Sequence, residues 1–327
     1  MDSELKKAKD GLNRLNDRLF KYIFASEQHK ENLIRFLNDV LNDPARIIVD
    51  IEYLDRELDP PFFNGKLVHF DVRAKSVDGR IFHVEVQIAE ENDIIERCLF
   101  YTCNNYISQL AISQSYEKLN EVVFVGVLNF NMFPDKPDSF HSVHKLLDTD
   151  NHRCYCRGIE MHFLELPKLK KQGKDRKPEK LTGLERMLTY IGTKGVTESL
   201  SRIAAYDSDI DRILHLEEMF MNEREQWVGY LMRERAQTDW EHYLKTSLEK
   251  ATAEGMAQGM AEGKAKGKAE GIAEGEAKSK AEAAIKMLRL GMDKNTISQV
   301  TELSPAEIQK LAKTENPVKR NTGRKRA

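Results

Sequence analysis

Residues 69–87 constrain this chain more than any other stretch. Two segments with strand composition, 69–75 and 80–87, flank Ser76-Val77-Asp78-Gly79, and both alternate residue by residue. Phe70, Val72, Ala74, Phe82, Val84 and Val86 fall on one face of the predicted hairpin, as period-two alternation requires. His69, Asp71, Arg73, Lys75, His83, Glu85 and Gln87 fall on the other. Val77-Asp78-Gly79 suits a three-residue loop with glycine in the left-handed position. That register sets Asp71 opposite Glu85, about 5 Å away, where like charges repel. A divalent cation with oxygen ligands would hold two such carboxylates together. The plainer reading is a half-buried hairpin whose polar face is simply solvated.

The surrounding residues bear on that choice. Asp71 followed by Glu85-Val86-Gln87 has the form D-(x)n-E-x-Q, which resembles the PD-(D/E)XK nuclease signature with glutamine where lysine more often stands. Upstream, Asp17, Phe20, Lys21 and Phe24 are similar to a D-x-x-F-K-x-x-F segment of one branch of that superfamily, and Phe36-Leu37-Asn38-Asp39-Val40-Leu41 to its next helical block. Downstream, Arg97 and Tyr101 resemble its R-x-x-x-Y helix, ahead of Gln109-Leu110 and the apolar run 122–130. The chain thereby resembles the recombination-promoting nuclease group, the PD-(D/E)XK nuclease family transposases, from about residue 12 to residue 167 and more loosely beyond.

The resemblance implies an α/β fold: a restriction-endonuclease-like core with a mixed sheet flanked by helices, followed by an all-α C-terminal extension. It implies hydrolysis of DNA phosphodiesters with Mg²⁺, or Mn²⁺ in its place, and a role in recombination or mobile-element and defence biology. Asp71 and Glu85 would hold the ion together with the backbone carbonyl of Val86. Asp17 matches the acidic residue that many members bring to the metal's edge. Gln87 stands for the lysine that positions the attacking water; it can orient water but adds no charge, which Lys21 could bring back from the helix. Lys75 lies four residues from Asp71 along the strand, roughly 13 Å at ~3.3 Å per residue, which suits DNA better than metal. Arg97 and Tyr101 would support the site or contact phosphate. The competing class is a catalytically weak DNA-binding or scaffolding protein acting through its C-terminal helices.

Elsewhere the pattern gives helices around 12–23 and 33–41, a strand at 47–54, a break at Asp59-Pro60-Pro61 and Asn64-Gly65, a helix at 93–112, a central strand at 122–130 and a last strand at 159–166. The core is expected to end at residue 167. An exposed basic linker follows at 168–182, then helices over 183–250 with Leu214, Met219, Phe220, Trp227, Leu231, Trp240 and Leu244 on one packed face. Glycines recur every fourth residue from Gly255 to Gly275. Each helical glycine costs about 1 kcal/mol relative to alanine, so 251–280 reads as a semi-flexible helical spacer. Residues 281–313 outline a helix-turn-helix, with Ser304-Pro305-Ala306-Glu307 as a capping box opening the second helix. Gln309, Lys310 and Lys313 on it, with Lys319 and Arg320 in a basic, disordered tail over 314–327, are the candidate DNA contacts.

Composition sets the outer bounds. The 327 residues carry a net charge of −2, so nucleic acid would be gripped by appendages and metal rather than by a uniformly basic core. No run of ~18 apolar residues and no leader-like stretch appears, which predicts a soluble, cytoplasmic protein with no membrane partner. Four cysteines fit a reducing compartment. His152, Cys154 and Cys156 lack a second pair at zinc-ligand spacing. DNA is the expected partner, and a second copy paired through the C-terminal helices is the other candidate.

Overall fold

The computed structural model describes residues 10–58, 68–87, 93–111, 113–173 and 176–315. The chain divides into two compact units, Met1–Thr238 and Asp239–Ala327.

In the first unit, α1 (Asp17–Phe24) and α2 (Lys30–Leu41) precede the sheet. β1 (Ile51–Tyr53), β2 (Glu57–Leu58), β3 (Val68–His69), β4 (Val72–Ser76) and β5 (Ile81–Gln87) follow, then α3 (Ile94–Ile107), β6 (Val122–Leu128), β7 (His141–Leu146) and β8 (Cys156–Glu165). Six strands form one mixed sheet in the order β1-β4-β5-β6-β8-β7, while β2 and β3 pair separately. β5, β6 and β8 run parallel and the other neighbours antiparallel. Every side chain of β6 is buried, as a strand covered on both faces must be. Val72, Ala74, Val84, Val123, Val125 and Val127 pack with α1 and α2 residues in the main core, each valine contributing about 1.5–3 kcal/mol. On the opposite face Phe124, Leu128, Met161 and Phe163 pack with Ile94 and Cys98 of α3.

The hairpin loop forms as the sequence predicts. Gly79 has φ +93°, and its N–H donates to the Ser76 carbonyl at 2.9 Å. Val72 faces Val84 and Lys75 faces Ile81; the ladder stops at Val72, and Asp71, just beyond it, reaches across to the Val86 N–H through its side chain. Two expectations fail here. The strand predicted from residue 69 is interrupted at Phe70 and Asp71, and Phe70 swings to the polar side, its ring 4.5 Å from that of His83. Nor is the polar face a solvated one. His83 is wholly buried and Arg73 nearly so, the latter donating to Asn105 of α3 at 2.6 Å.

The core does not stop at residue 167. Instead of an exposed basic linker, residues 166–173 form α4 (Leu166–Gly173). Lys168 is buried, 2.6 Å from Glu165, and donates to the Phe133 carbonyl at 2.7 Å. α5 (Gly183–Gly192), α6 (Glu198–Tyr206) and α7 (Ser208–Asn222) then supply Met187, Ile191, Leu200, Ile210 and Phe220 to the main core. Arg14, nearly fully buried, fastens these helices to the N-terminal segment. It grips Glu217 through two bonds of 2.7 and 2.9 Å and donates to the Thr193 and Gly195 carbonyls. β7 escapes the sequence reading because polar residues obscure its apolar period, whereas α6 falls within the helices expected over 183–250. The long apolar face proposed for 214–244 is only partly real: Phe220 is buried, whereas Met219, Leu231, Trp240 and Leu244 are exposed.

α8 (Arg224–Arg289) is one continuous helix through all six spaced glycines. In the second unit its last turns pack with α9 (Lys294–Thr301) and α10 (Pro305–Glu315) around Ala284, Ile297 and Ile308. Gly291 and Glu302 take left-handed backbone after α8 and α9, which stops each helix. The Ser304–Glu307 capping box forms, Ser304 N–H reaching Glu307 at 2.8 Å and Glu307 N–H reaching Ser304 Oγ at 3.3 Å.

Candidate active site

The site grows from two local features. Asn16 caps α1 by accepting from the Arg18 N–H at 3.0 Å, which places Asp17 in the first turn and Lys21 one turn on, each at the helix end its charge favours. The hairpin register then brings Asp71 beside them. Lys21 Nζ lies 2.5 Å from Asp17 Oδ1 and 3.4 Å from Asp71 Oδ1, so one ammonium bridges two carboxylates from different elements. Arg233 of α8 approaches Asp17 at 3.7 Å.

Asp71 Oδ2 accepts from the Val86 backbone N–H at 2.9 Å. Burial and the facing Glu85 nonetheless push the Asp71 carboxyl up to about 7, with Lys21 only partly offsetting them. That shift expresses the like-charge pair read from the sequence. Glu85 Oε2 lies 3.1 Å from His83 Nε2. With Phe70 at 4.5 Å and Phe124 at 5.1 Å around the imidazole, His83 is clamped in place and steadies Glu85. Gln87 accepts at Oε1 from Arg97 at 2.8 Å. Its oxygen is thus engaged.

Asp17, Lys21, Asp71, Glu85, Val86, Gln87 and Arg97 therefore come together around one end of the hairpin. Tyr101 packs against Phe70 at 5.8 Å and His83 at 6.0 Å, behind that cluster. Lys75 is exposed at the far end of β4, opposite Glu52 of β1. Gln309, Lys310 and Lys313 are exposed on α10 in the second unit. Lys319 and Arg320, the tail around them and the break at 59–65 lie outside the described residues. His83, Arg73 and Arg14 were missed as contributors. The alternation placed His83 and Arg73 on the polar face, but nothing in it reported the helix that covers them.

The donor set bears on a metal. Two carboxylates and a peptide carbonyl are hard oxygen donors of the kind Mg²⁺ accepts, the remaining positions going to water and phosphate. Among the described residues no group of three or more His, Cys, Asp or Glu side chains could hold an ion alone. The fit thus requires substrate and solvent oxygens. A bound cation would add to the single ammonium, that of Lys21, now beside Asp71. His152, Cys154 and Cys156 form no such group either, and both thiols are free. No helix among the described residues is long and apolar enough to cross a membrane.

A family model described as PD-(D/E)XK nuclease family transposase matches residues 14–247. A second, the C-terminal HTH domain of the Rpn/YhgA-like nuclease family, matches residues 278–313. No curated protein and no solved structure matches the chain significantly.

Proposed function

The chain belongs to the PD-(D/E)XK nuclease family transposases, and from that premise we propose that its first unit is a Mg²⁺-dependent DNA endonuclease acting in recombination or mobile-element biology. Asp71, Glu85 and the Val86 carbonyl hold the ion, with Mn²⁺ an acceptable substitute. The observation that supports this reading is the facing Asp71–Glu85 pair, whose Asp71 carboxyl burial and Glu85 push up to about 7 despite the nearby Lys21.

When bound, the ion supplies Lewis acidity to the scissile phosphate and lowers the pKa of a bound water. The protein's own groups do the rest. Lys21, steadied by Asp17, places an ammonium beside Asp71, where it can take a phosphate oxygen. His83 fixes the Glu85 carboxylate through Oε2. Gln87 helps to orient the attacking water, and Arg97, bonded to its oxygen at 2.8 Å, keeps that amide from rotating. The second unit, whose HTH match covers 278–313, adds DNA affinity through Gln309, Lys310 and Lys313.

Supercoiled plasmid incubated with Mg²⁺, Ca²⁺ or EDTA tests the reading. Nicking is expected with Mg²⁺ and absent with EDTA, and Asp71→Ala and Glu85→Ala are expected to abolish it while remaining folded. Plasmid bound but uncut under every divalent ion would favour the alternative, a DNA-binding scaffold acting through its C-terminal helices.

A further inference from the structure

A cleft of about 820 Å³ opens beside the candidate catalytic carboxylates, between α1, residues 26–29 and the first turns of α8. Arg18, Lys21, Arg56 and Arg233 line it, and Tyr22 adds an aromatic ring to its wall. Lys21 belongs to the cleft and to the site at once, since it contacts both Asp17 and Asp71.

The lining carboxylates are mostly spoken for. Asp17 is engaged by Lys21 and Arg233, and Glu223 accepts from the Tyr22 hydroxyl at 2.7 Å. Glu27 also stands on the rim. Arg18 is held in place by Gln226 at 3.1 Å. Gly229 is why α8 can pass so close to it, since a Cβ there would lie 2.9 Å from the Arg18 guanidinium. Arg56 and Arg233 are exposed, and Arg233 is tied only by a long 3.7 Å approach to Asp17. They are the cations able to turn onto a ligand.

Cations along a groove with an aromatic wall are what a single nucleic-acid strand requires, phosphates pairing with the arginines and a base lying against the ring. The volume falls within the ~300–1,000 Å³ of sites that enclose a small ligand, room for a short stretch of one strand to sit inside the cleft.

We propose that this cleft seats one DNA strand next to the catalytic carboxylates, with Arg56 and Arg233 on its phosphates and Tyr22 against a base. This rests on the nuclease reading for its position beside the site. It makes the helix that follows the sheet part of the substrate seat, and it predicts a preference for frayed or single-stranded DNA.

The test uses the full chain in EDTA, where binding is read without cleavage, with a fluorescent oligothymidylate and a matched duplex as probes. Arg56→Ala and Arg233→Ala are each expected to weaken oligothymidylate binding several-fold. Each should flatten the slope of log affinity against log salt by about 0.7, the value for one phosphate contact on a single strand. With Mg²⁺ the same variants should raise KM more than they lower kcat. Arg56→Ala removes an exposed side chain, so an unchanged melting temperature separates lost binding from lost fold. Unchanged affinity, slope and KM in both variants would overturn the cleft while leaving nicking, and so the nuclease reading, intact. Weakened binding by the variants of a protein that never nicks would overturn the nuclease reading and leave the cleft standing. Arginine effects confined to the duplex probe would refute the single-strand seat.

Discussion

Replacing Asp71 with asparagine should stabilise the metal-free protein. The variant keeps an oxygen to accept from the Val86 N–H, removes the charge facing Glu85, and gives up only the 3.4 Å approach of Lys21. The Asp71 carboxyl is raised from 3.8 to about 7, first by burial and then by Glu85. At 1.36 kcal/mol per pH unit, the roughly three-unit rise sets a ceiling of about 4 kcal/mol. The side chain is 20% exposed, and solvent screening at that edge brings the measurable part to about 2 kcal/mol. For a unit of this size that is a gain of about 4–8 °C in Tm. The sign follows from linkage. A folded-state carboxyl that titrates above its unfolded value binds protons in the folded form first, so stability falls as pH rises from about 4 to about 7. The advantage of Asp71→Asn should therefore be full at pH 8 and shrink toward pH 4. Mg²⁺ should raise the Tm of the parent and leave the variant nearly unmoved, because the ion stabilises only the state that binds it. Thermal melts of both proteins across pH, with and without Mg²⁺, measure all of this. An Asp71→Asn protein less stable than its parent at pH 8 without metal, or a difference that ignores pH, would falsify the reasoning.

Gln87→Lys, which installs the commoner superfamily residue, should lose activity by itself, because it sets an ammonium against the Arg97 guanidinium now 2.8 Å from the glutamine oxygen. Gln87→Lys with Arg97→Gln should recover nicking, and equal rates for the single and double variants would remove that account. Arg14→Ala leaves the buried Glu217 with the Tyr190 hydroxyl but no cation and should cost about 3–5 kcal/mol by urea melts; a chain ending at residue 167 should correspondingly fail to fold cooperatively. Deleting 239–327 should leave Mg²⁺-dependent nicking but weaken duplex binding, flattening its salt slope by about 0.9 per lost phosphate contact. Unaltered duplex affinity in that truncation would assign the C-terminal helices to partner binding instead.

Much of the fold was legible because local periods carry it. The alternation and Gly79 determined the hairpin and its loop from Val72 to Val84, since a period of two leaves no other register once one face is apolar, and so brought Asp71 to the side of Glu85 just beyond it. The unbroken apolar run at 122–128 identified the central strand, and Ser304 with Glu307 identified the last helix start. The spacing of Asp17 and Lys21 by one helical turn put them on one face before any contact was known.

What escaped depends on long-range packing. Nothing local says that α3 covers the polar face, and so His83 and Arg73 read as solvated when they are buried supports of the site. Nothing in 168–173 announces that Lys168 answers Glu165 inside the core, because a buried lysine and an exposed one have the same neighbours in sequence. The reach of the first unit past the sheet is fixed by Arg14, which meets Glu217 from 203 residues away, and by Asn13 and Asn16, which both donate to Glu234. The cleft beside Lys21 likewise exists only because Gly229 lets α8 close over α1. The sequence by itself determined which groups share a strand or a helix face, through backbone periodicity. Only the tertiary structure decided which of those faces met water, since burial is set by the elements that arrive from far along the chain.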